Sequence, residues 1–494
     1  MDWIEEHIRT LRVQSGVTEE TARAMFGQRV HVTIDEMLLP NRTYALAYAF
    51  TLSLLARMFP STSFDTPPSI PLPVLPWGGV APLQTNGEIA ARVHFGRAID
   101  GAIIANCHDW SVYVGDTQVL PNAAEPWNPI LALVTACYVA SRVTKALLGD
   151  ALSAAADVAP FSILDFGTAT ASFDWEAPLP VGNVHVAGVG AVGSAFLFAL
   201  ASHGRATGSL DLIDPDAVDR PNLGRYVLFD VADVPKPKVT AAKARLDAVG
   251  CPVEVRAHEA LFEKYFDERY DNDNSFRVGR LVCCPDSRPA RREFQSKLPF
   301  ETFDASTGPS QVVVHQNRYD PSEACVECIY PRILFEDAHA EHVARKLNVP
   351  LERVRSGQNI AAGDAERIVA AYPNLRAEDL VGRAFDSIFR SLCGAGELRV
   401  EDEVVLAPMP FTSALAGVLL YFELVKASAE AFAPFRSFNY VQLNPLFAPN
   451  PLMREMRGSN PSCRCQDPAT RGLFNRIWGD RLDRSTASGA ADRF

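Results

Sequence analysis

Residues 184–196 read VHVAGVGAVGSAF: a β-branched apolar run breaks into Gly188-x-Gly190-x-x-Gly193 and continues as a stretch of helical composition. A strand that ends in such a loop and opens a helix turns backbone N–H groups and the positive helix end toward a phosphate or adenosine group. After Gly193 comes a second strand, SLDLID (209–214), ending on Asp214, where a carboxylate can accept hydrogen bonds from ribose hydroxyls. Strand, glycine loop, helix and strand fit within the ~35 residues of one βαβ unit, so this stretch reads as α/β and Rossmann-like. A nicotinamide-dependent dehydrogenase would carry the same pair, so residues farther along the chain must separate the two chemistries.

Composition sets the outer limits. The 494 residues are 48% hydrophobic and 21% charged, which suits several globular domains. A net charge of −12 provides no general basic field, and nucleic acid is not the expected partner. The opening MDWIEEHIRT lacks a basic flank followed by an apolar run, and the apolar stretch around Tyr44 to Ala56 is too short to span a bilayer. A cytoplasmic protein without a membrane partner is therefore expected. In that compartment ten cysteines point to metal or catalysis before disulfides.

Outward from the glycine loop, the Pro-containing PLPVG (178–182) marks a domain boundary near residues 175 to 182. Upstream, Ile34 to Met58 reads as mostly helical, and seven prolines between Pro60 and Pro82 mark a long loop. Short apolar runs (ARVHF, AIIANC, WSVYVG) precede WNPILALVTACYVASRVTKALLG, a long apolar helix. Downstream, residues 331–404 turn polar and helical (EDAHAEHVARKL, AEDLVGRAFDSIFRSL) before PMPFTSALAGVLLYFELVKA restores a long apolar helix. The two apolar helices look alike, ending on Lys145 and Lys426, which hints at an internal duplication. Residues 485–494 are small and polar and are expected to be disordered.

The stretch LIDPDAVDRPNLGRY (212–226), joined to PKPKVTAAKARL (235–246), has no purpose in hydride transfer. Together with the glycine loop it resembles the adenylation domain shared by ubiquitin-activating enzymes and the thiamine and molybdopterin sulfur-carrier adenylyltransferases. By that resemblance Gly188, Gly190 and Gly193 line an ATP site. Asp214 holds the ribose with Asp216 in support, Asn222 and Arg225 reach the triphosphate, and Lys238 stabilises charge developing at the α-phosphate, with Lys236 as its competitor. In LVCCPDSRPARREF (281–294), the resemblance assigns Asp286 to Mg2+ and places Arg291 among the nucleotide-binding residues. A carboxylate attacking phosphorus needs fixed cations more than a base, because it is already ionised. Taken singly, Asp286 is as readily a helix cap, and Arg225 and Lys238 surface charges; their joint order favours function.

Cys325-x-x-Cys328 and Cys463-x-Cys465 supply four thiolates for a structural, tetrahedral Zn2+ site, although the family's second pair is usually C-x-x-C. Cys393, in SIFRSLCGAGELR, lies where thioester-forming relatives carry their catalytic cysteine. Arg390 favours its thiolate, whereas a helix C-terminus opposes it. Cys283, Cys284 and Cys137 read as core residues.

The expected architecture is an active adenylation domain (181–330 and 405–465), a helical catalytic-cysteine insertion (331–404) and a degenerate, inactive adenylation-like domain (1–175). The last lacks a glycine fingerprint and would contribute an arginine to the phosphates, with Arg23, Arg29 and Arg42 as candidates. Read instead as a ubiquitin-conjugating domain, residues 1–175 have in Cys107 their least poor nucleophile. The resemblance implies ATP-dependent activation of a ubiquitin-like protein, a thioester on Cys393, a conjugating enzyme as recipient, a possible homodimer and an antiphage setting. A sulfur-carrier or peptide adenylyltransferase without a thioester, and a non-catalytic nucleotide-binding scaffold, are the alternatives.

Overall fold

The computed structural model describes residues 8, 18–67, 88–117, 120–121, 125–148, 158–308, 311–331, 334–355, 360–373, 375–381, 385, 388–389, 398–400, 403–405 and 408–487. Two mixed sheets are built from successive halves of the chain. The first contains β1 (Arg29–Ile34), β2 (Ser63–Phe64), β3 (Ile89–Phe95), β4 (Ile103–His108), β5 (Ser111–Gly115) and β6 (Val158–Ser162), in the order β2-β1-β3-β4-β5-β6. Its first three pairings are parallel and its last two antiparallel.

The second sheet contains β7 (Leu179–Ala187), β8 (Ala206–Ile213), β9 (Glu254–His258), β10 (Arg280–Cys283), β11 (Glu301–Gly308) and β12 (Gln311–Asn317). A separate hairpin of β13 (Leu398–Val400) and β14 (Glu403–Val405) intervenes, and β15 (Tyr440–Leu443) and β16 (Arg454–Glu455) return to the sheet. Its order is β16-β15-β12-β11-β10-β7-β8-β9, parallel from β9 to β11 and antiparallel beyond. The run β2-β1-β3-β4-β5-β6 thus repeats the topology of β8-β7-β10-β11-β12-β15. Strands buried on both faces explain the nearly unbroken apolar run of β7 after Asn183.

Four apolar helices pack between and against the sheets: α1 (Arg42–Met58), α2 (Pro129–Leu148), α3 (Ala191–His203) and α4 (Pro410–Ser428). Helix α1 begins at Arg42 because the Asn41 side chain accepts from the Tyr44 N–H at 3.1 Å. The stretch from Ile34 to Met58 is mostly helical as expected, but its start is corrected: Ile34 ends strand β1, whose alternating burial marks one covered face, and a short 3-10 turn, Glu36–Leu38, precedes α1. Within the Pro-rich run, residues 68–87 lie outside the described residues. By length and composition α2 and α4 are able to cross a membrane, contrary to the sequence expectation, yet 89% of each apolar window is buried inside the fold. They are core helices.

One continuous apolar core runs from Ile8 of the first half to Leu443 of the second. Phe50 of α1 stacks on Phe198 of α3 with centroids 4.7 Å apart. Ser141 Oγ and Lys145 Nζ of α2 donate to the carbonyls of Pro445 and Leu446, both at 2.8 Å. Crossing of α4 over α3 is close because position 417 is glycine: a Cβ there would stand 2.4 Å from the Val192 carbonyl oxygen. Between Leu334 and Phe389, helices Leu334–Leu347, Leu351–Arg355 and Ala362–Ala371 enclose a small core of their own, including Val343, Leu347, Ile368 and Phe389. Helix Pro468–Ala487 takes in residues 485–487, expected to be disordered; 488–494 lie outside the described residues.

Candidate active site

The glycine loop joins β7 to α3, and its three glycines answer different constraints. Gly188 has φ +98°, and a Cβ there would meet the Cys284 carbonyl oxygen at 2.6 Å. At Gly193 a Cβ would stand 2.1 Å from the Gly188 oxygen, so both glycines allow backbone segments to close on one another. Gly190, by contrast, faces open space: a Cβ there would meet nothing within 4 Å. It is also the N-cap of α3, and no side chain caps it, which leaves that side for an anionic ligand.

Asp214 stands beside this loop at the end of β8. Its Oδ2 accepts from the Val189 N–H at 2.7 Å and its Oδ1 from the Asp216 N–H at 2.9 Å. Oδ2 still has a lone pair for another donor. Lys238, which opens helix Lys238–Ala248, brings its Nζ to 2.9 Å from Asp216 Oδ2 and 3.5 Å from Asp214 Oδ1. Burial pushes the Asp214 carboxyl up, with Lys238 opposing. Burial likewise pulls Lys238 down, but Asp214, Tyr226 and Asp216 more than offset it and hold the ammonium well above the ordinary lysine range. Lys236 pairs instead with Asp233 at 3.2 Å and is half exposed. Asn222 sits in the turn Arg220–Asn222, and its Oδ1 accepts from Arg225 Nη2 at 2.8 Å.

Beyond β10, Asp286 is exposed, a hard oxygen donor of the kind Mg2+ takes. The helix cap is Ser287, whose side chain accepts from the Ala290 N–H at 3.3 Å. Arg291 is 5% exposed. Its guanidinium pairs with the buried Asp304 and donates to the Pro285 carbonyl at 2.6 Å.

From the first half, Arg57 enters this region. It is fully buried and donates to the carbonyls of Leu223 and Phe229, the latter at 3.3 Å, on either side of Arg225; burial pulls it down to about 9. The three arginines singled out from sequence are placed elsewhere: Arg23 on Glu19, Arg29 on Ser63, and Arg42 on Glu176 and the Trp127 ring. A single charged residue in the apolar TYALAYAFTLSLLARM was the available signal for Arg57.

Cys325, Cys328, Cys463 and Cys465 converge with all four sulfurs within 4.8 Å of one another. The Cys325–Cys463, Cys328–Cys465 and Cys325–Cys328 separations are 3.6, 3.5 and 3.8 Å, close to the ~3.8 Å edge of a tetrahedron with Zn–S bonds of about 2.3 Å. The C-x-C pair manages this because Cys463 caps the 3-10 turn Arg464–Gln466. The Asn460 N–H, at 3.2 Å from Cys328 Sγ, suits a thiolate. The donor set fits zinc. Cys393 lies outside the described residues. Cys283, Cys284 and Cys137 are buried, as is Cys107, whose thiol is pushed up by burial and then by Glu125, a poor setting for a nucleophile.

A family description of ThiF matches residues 179–466. The chain is 29% identical over 325 residues to the uncharacterized protein y4jF of Sinorhizobium fredii, covering 62% of this chain and 61% of that one. It is 38% identical over 118 residues to the NEDD8-activating enzyme E1 catalytic subunit of Caenorhabditis elegans, 24% of this chain and 25% of that. It is 33% identical over 118 residues to the probable adenylyltransferase/sulfurtransferase MoeZ of Mycobacterium tuberculosis, 22% of this chain and 29% of that. The chain therefore spans less than two thirds of the length of each of these relatives.

Proposed function

The chain belongs to the ThiF family, and from that premise we propose that it is an adenylyltransferase that activates the C-terminal carboxylate of a ubiquitin-like or sulfur-carrier protein with ATP. The observation that carries the reading is Lys238, a buried ammonium fixed beside Asp216 and beside Asp214, whose carboxylate holds the Val189 N–H of the glycine loop. In the proposed step a carboxylate oxygen bonds to the α-phosphorus, the bond to the bridging oxygen of the β-phosphate breaks, and pyrophosphate leaves. Fixed positive charge is what that transition state requires. Lys238 would supply it, with Arg225 at the triphosphate and Asp214 at the ribose. Asp286 would hold Mg2+, which neutralises phosphate charge when bound.

The finer reading is that the substrate is ubiquitin-like and that the Cys393 thiolate then attacks the acyl-adenylate carbonyl, expelling AMP and leaving a thioester for a conjugating enzyme. Its support is the position of Cys393 between the two cysteine pairs and before α4, and the similarity to the NEDD8-activating subunit. Similarity to MoeZ supports the sulfur-carrier alternative, which needs no thioester. Incubation with ATP, Mg2+ and candidate carrier proteins, followed by pyrophosphate assay and non-reducing electrophoresis, separates them. Pyrophosphate release without a thiol-sensitive adduct, unchanged in Cys393→Ala, would remove the thioester; no carrier-dependent pyrophosphate would remove adenylation.

A further inference from the structure

The four-cysteine cluster and the Asp286 loop are joined by a chain of buried polar contacts. Tyr330 directly follows the short helix Val326–Ile329, which Cys325 precedes as N-cap and which contains Cys328. Its hydroxyl lies 2.7 Å from Asp304 Oδ2, to which it donates, and 2.9 Å from Ser306 Oγ. Asp304 is wholly buried on β11, and its other oxygen takes the Arg291 guanidinium. Arg291 in turn holds the carbonyl of Pro285, the residue immediately before Asp286.

Helix Arg288–Ser296, which starts two residues after Asp286, is pinned to the cluster's own backbone as well. Arg292 Nη1 donates to the Tyr330 carbonyl at 3.1 Å, and Gln295 Oε1 accepts from the Val326 N–H at 3.3 Å. The Arg291 guanidinium also lies 5.1 Å from the centroid of the Tyr330 ring. Arg291, Asp304 and Tyr330 leave little room for relaxation, because each is buried and Asp304 accepts from both of the others. A displacement of Tyr330 therefore reaches Pro285 through three hydrogen bonds in series, two of them to the Asp304 carboxylate, rather than dissipating into solvent.

We propose that Tyr330 is a positioning residue that transmits closure of the four-cysteine cluster to Asp286, so that the cluster sets the affinity of the nucleotide site for its divalent cation. Arg291, on this reading, does not touch nucleotide; it carries the coupling. The inference rests on the adenylation reading only in assigning the cation to Asp286.

The test is binding of a fluorescent ATP analogue to the full chain as Mg2+ is titrated, with protein-bound zinc measured in the same samples. Tyr330→Phe keeps the ring and removes one charge-assisted hydrogen bond. The Mg2+ concentration for half-saturation should rise roughly three- to tenfold, while zinc content stays at the wild-type value and saturating Mg2+ restores wild-type binding. Withdrawing zinc from the wild type with a thiol reagent and chelator should produce a rise of the same kind. Should Tyr330→Phe not fold, Asp304→Asn is read in its place. An unmoved Mg2+ half-saturation in a folded variant, with normal binding by the wild type, would overturn the coupling alone. A wild type that binds no nucleotide at any Mg2+ concentration would overturn the adenylation reading and this inference with it.

Discussion

Lys238 is where burial and charge meet most directly. Two carboxylates hold its ammonium in a site that would otherwise disfavour charge. Lys238→Met should lower carrier-dependent pyrophosphate exchange by about 10²–10³, the size of losing one preorganised charge donor. It should also cost about 3 kcal/mol in urea unfolding, since Asp214 and Asp216 would be left facing each other. Activity lost with unchanged stability would show that the pairing seen here is not held in solution. His203 offers a second residue-scale prediction. Burial holds its imidazole down to about 4, and its Nδ1 lies 2.6 Å from the Tyr421 hydroxyl of α4. An unfolded histidine binds its proton near pH 6.5, so the unfolded state takes up more protons between about 6.5 and 4, and stability is lost as pH falls through that window. At pH 5 the loss is on the order of 2 kcal/mol. Urea midpoints at pH 7 and pH 5 should diverge less in His203→Gln than in the wild type.

Among elements, the α3–α4 crossing controls the glycine loop, because α3 begins on it. A methyl at position 417 would press on the Val192 carbonyl, Ala195 Cβ and the Phe196 nitrogen, all at 2.6 Å or less. Gly417→Ala should therefore destabilise by about 1–3 kcal/mol despite its better helix propensity and weaken ATP binding; calorimetry showing a variant as stable as wild type would mean the helices ride farther apart. In the cysteine element, Cys465 is buried with Leu298, Tyr319, Phe474 and Trp478. Cys465→Ser should abolish stoichiometric zinc and lower the melting temperature, because the binding energy of a closed thiolate site is folding energy. Elemental analysis and differential scanning fluorimetry on the same preparation check both.

The whole molecule is tied together by a core that ignores the boundary between halves. Arg57 is its polar counterpart, lending two donors to a turn 166 and 172 residues away. Arg57→Ala should unfold both halves at one lower urea midpoint, shifted by about 3 kcal/mol, rather than release the first half alone. Two separated transitions in near- and far-ultraviolet circular dichroism would show that the halves are energetically independent.

Local pattern was enough to single out the glycine loop, Asp214, Lys238 and the two cysteine pairs, which the fold brings into one region and one cluster respectively, since each depends on spacing within one or two elements. It also marked the strands around Val93, Ile104 and Val112. It placed the start of the first helix too early, at Ile34, which ends β1; β1 pairs with β2 and β3, partners about 30 and 60 residues downstream, and a short window shows no such pairing. Gly417 and the Tyr330–Asp304–Arg291 chain were beyond reach for the same reason, and for Arg57 the lone charge in an apolar stretch marked the residue but not its partners. An arginine, a helical glycine and a tyrosine have ordinary identities, and only the chain's return across the sheet gives them carbonyls, a neighbouring backbone or a buried carboxylate to meet. Short-range spacing thus marked the residues on which the proposed chemistry rests; long-range packing, by bringing distant groups into low-dielectric contact, decided what holds those residues in place.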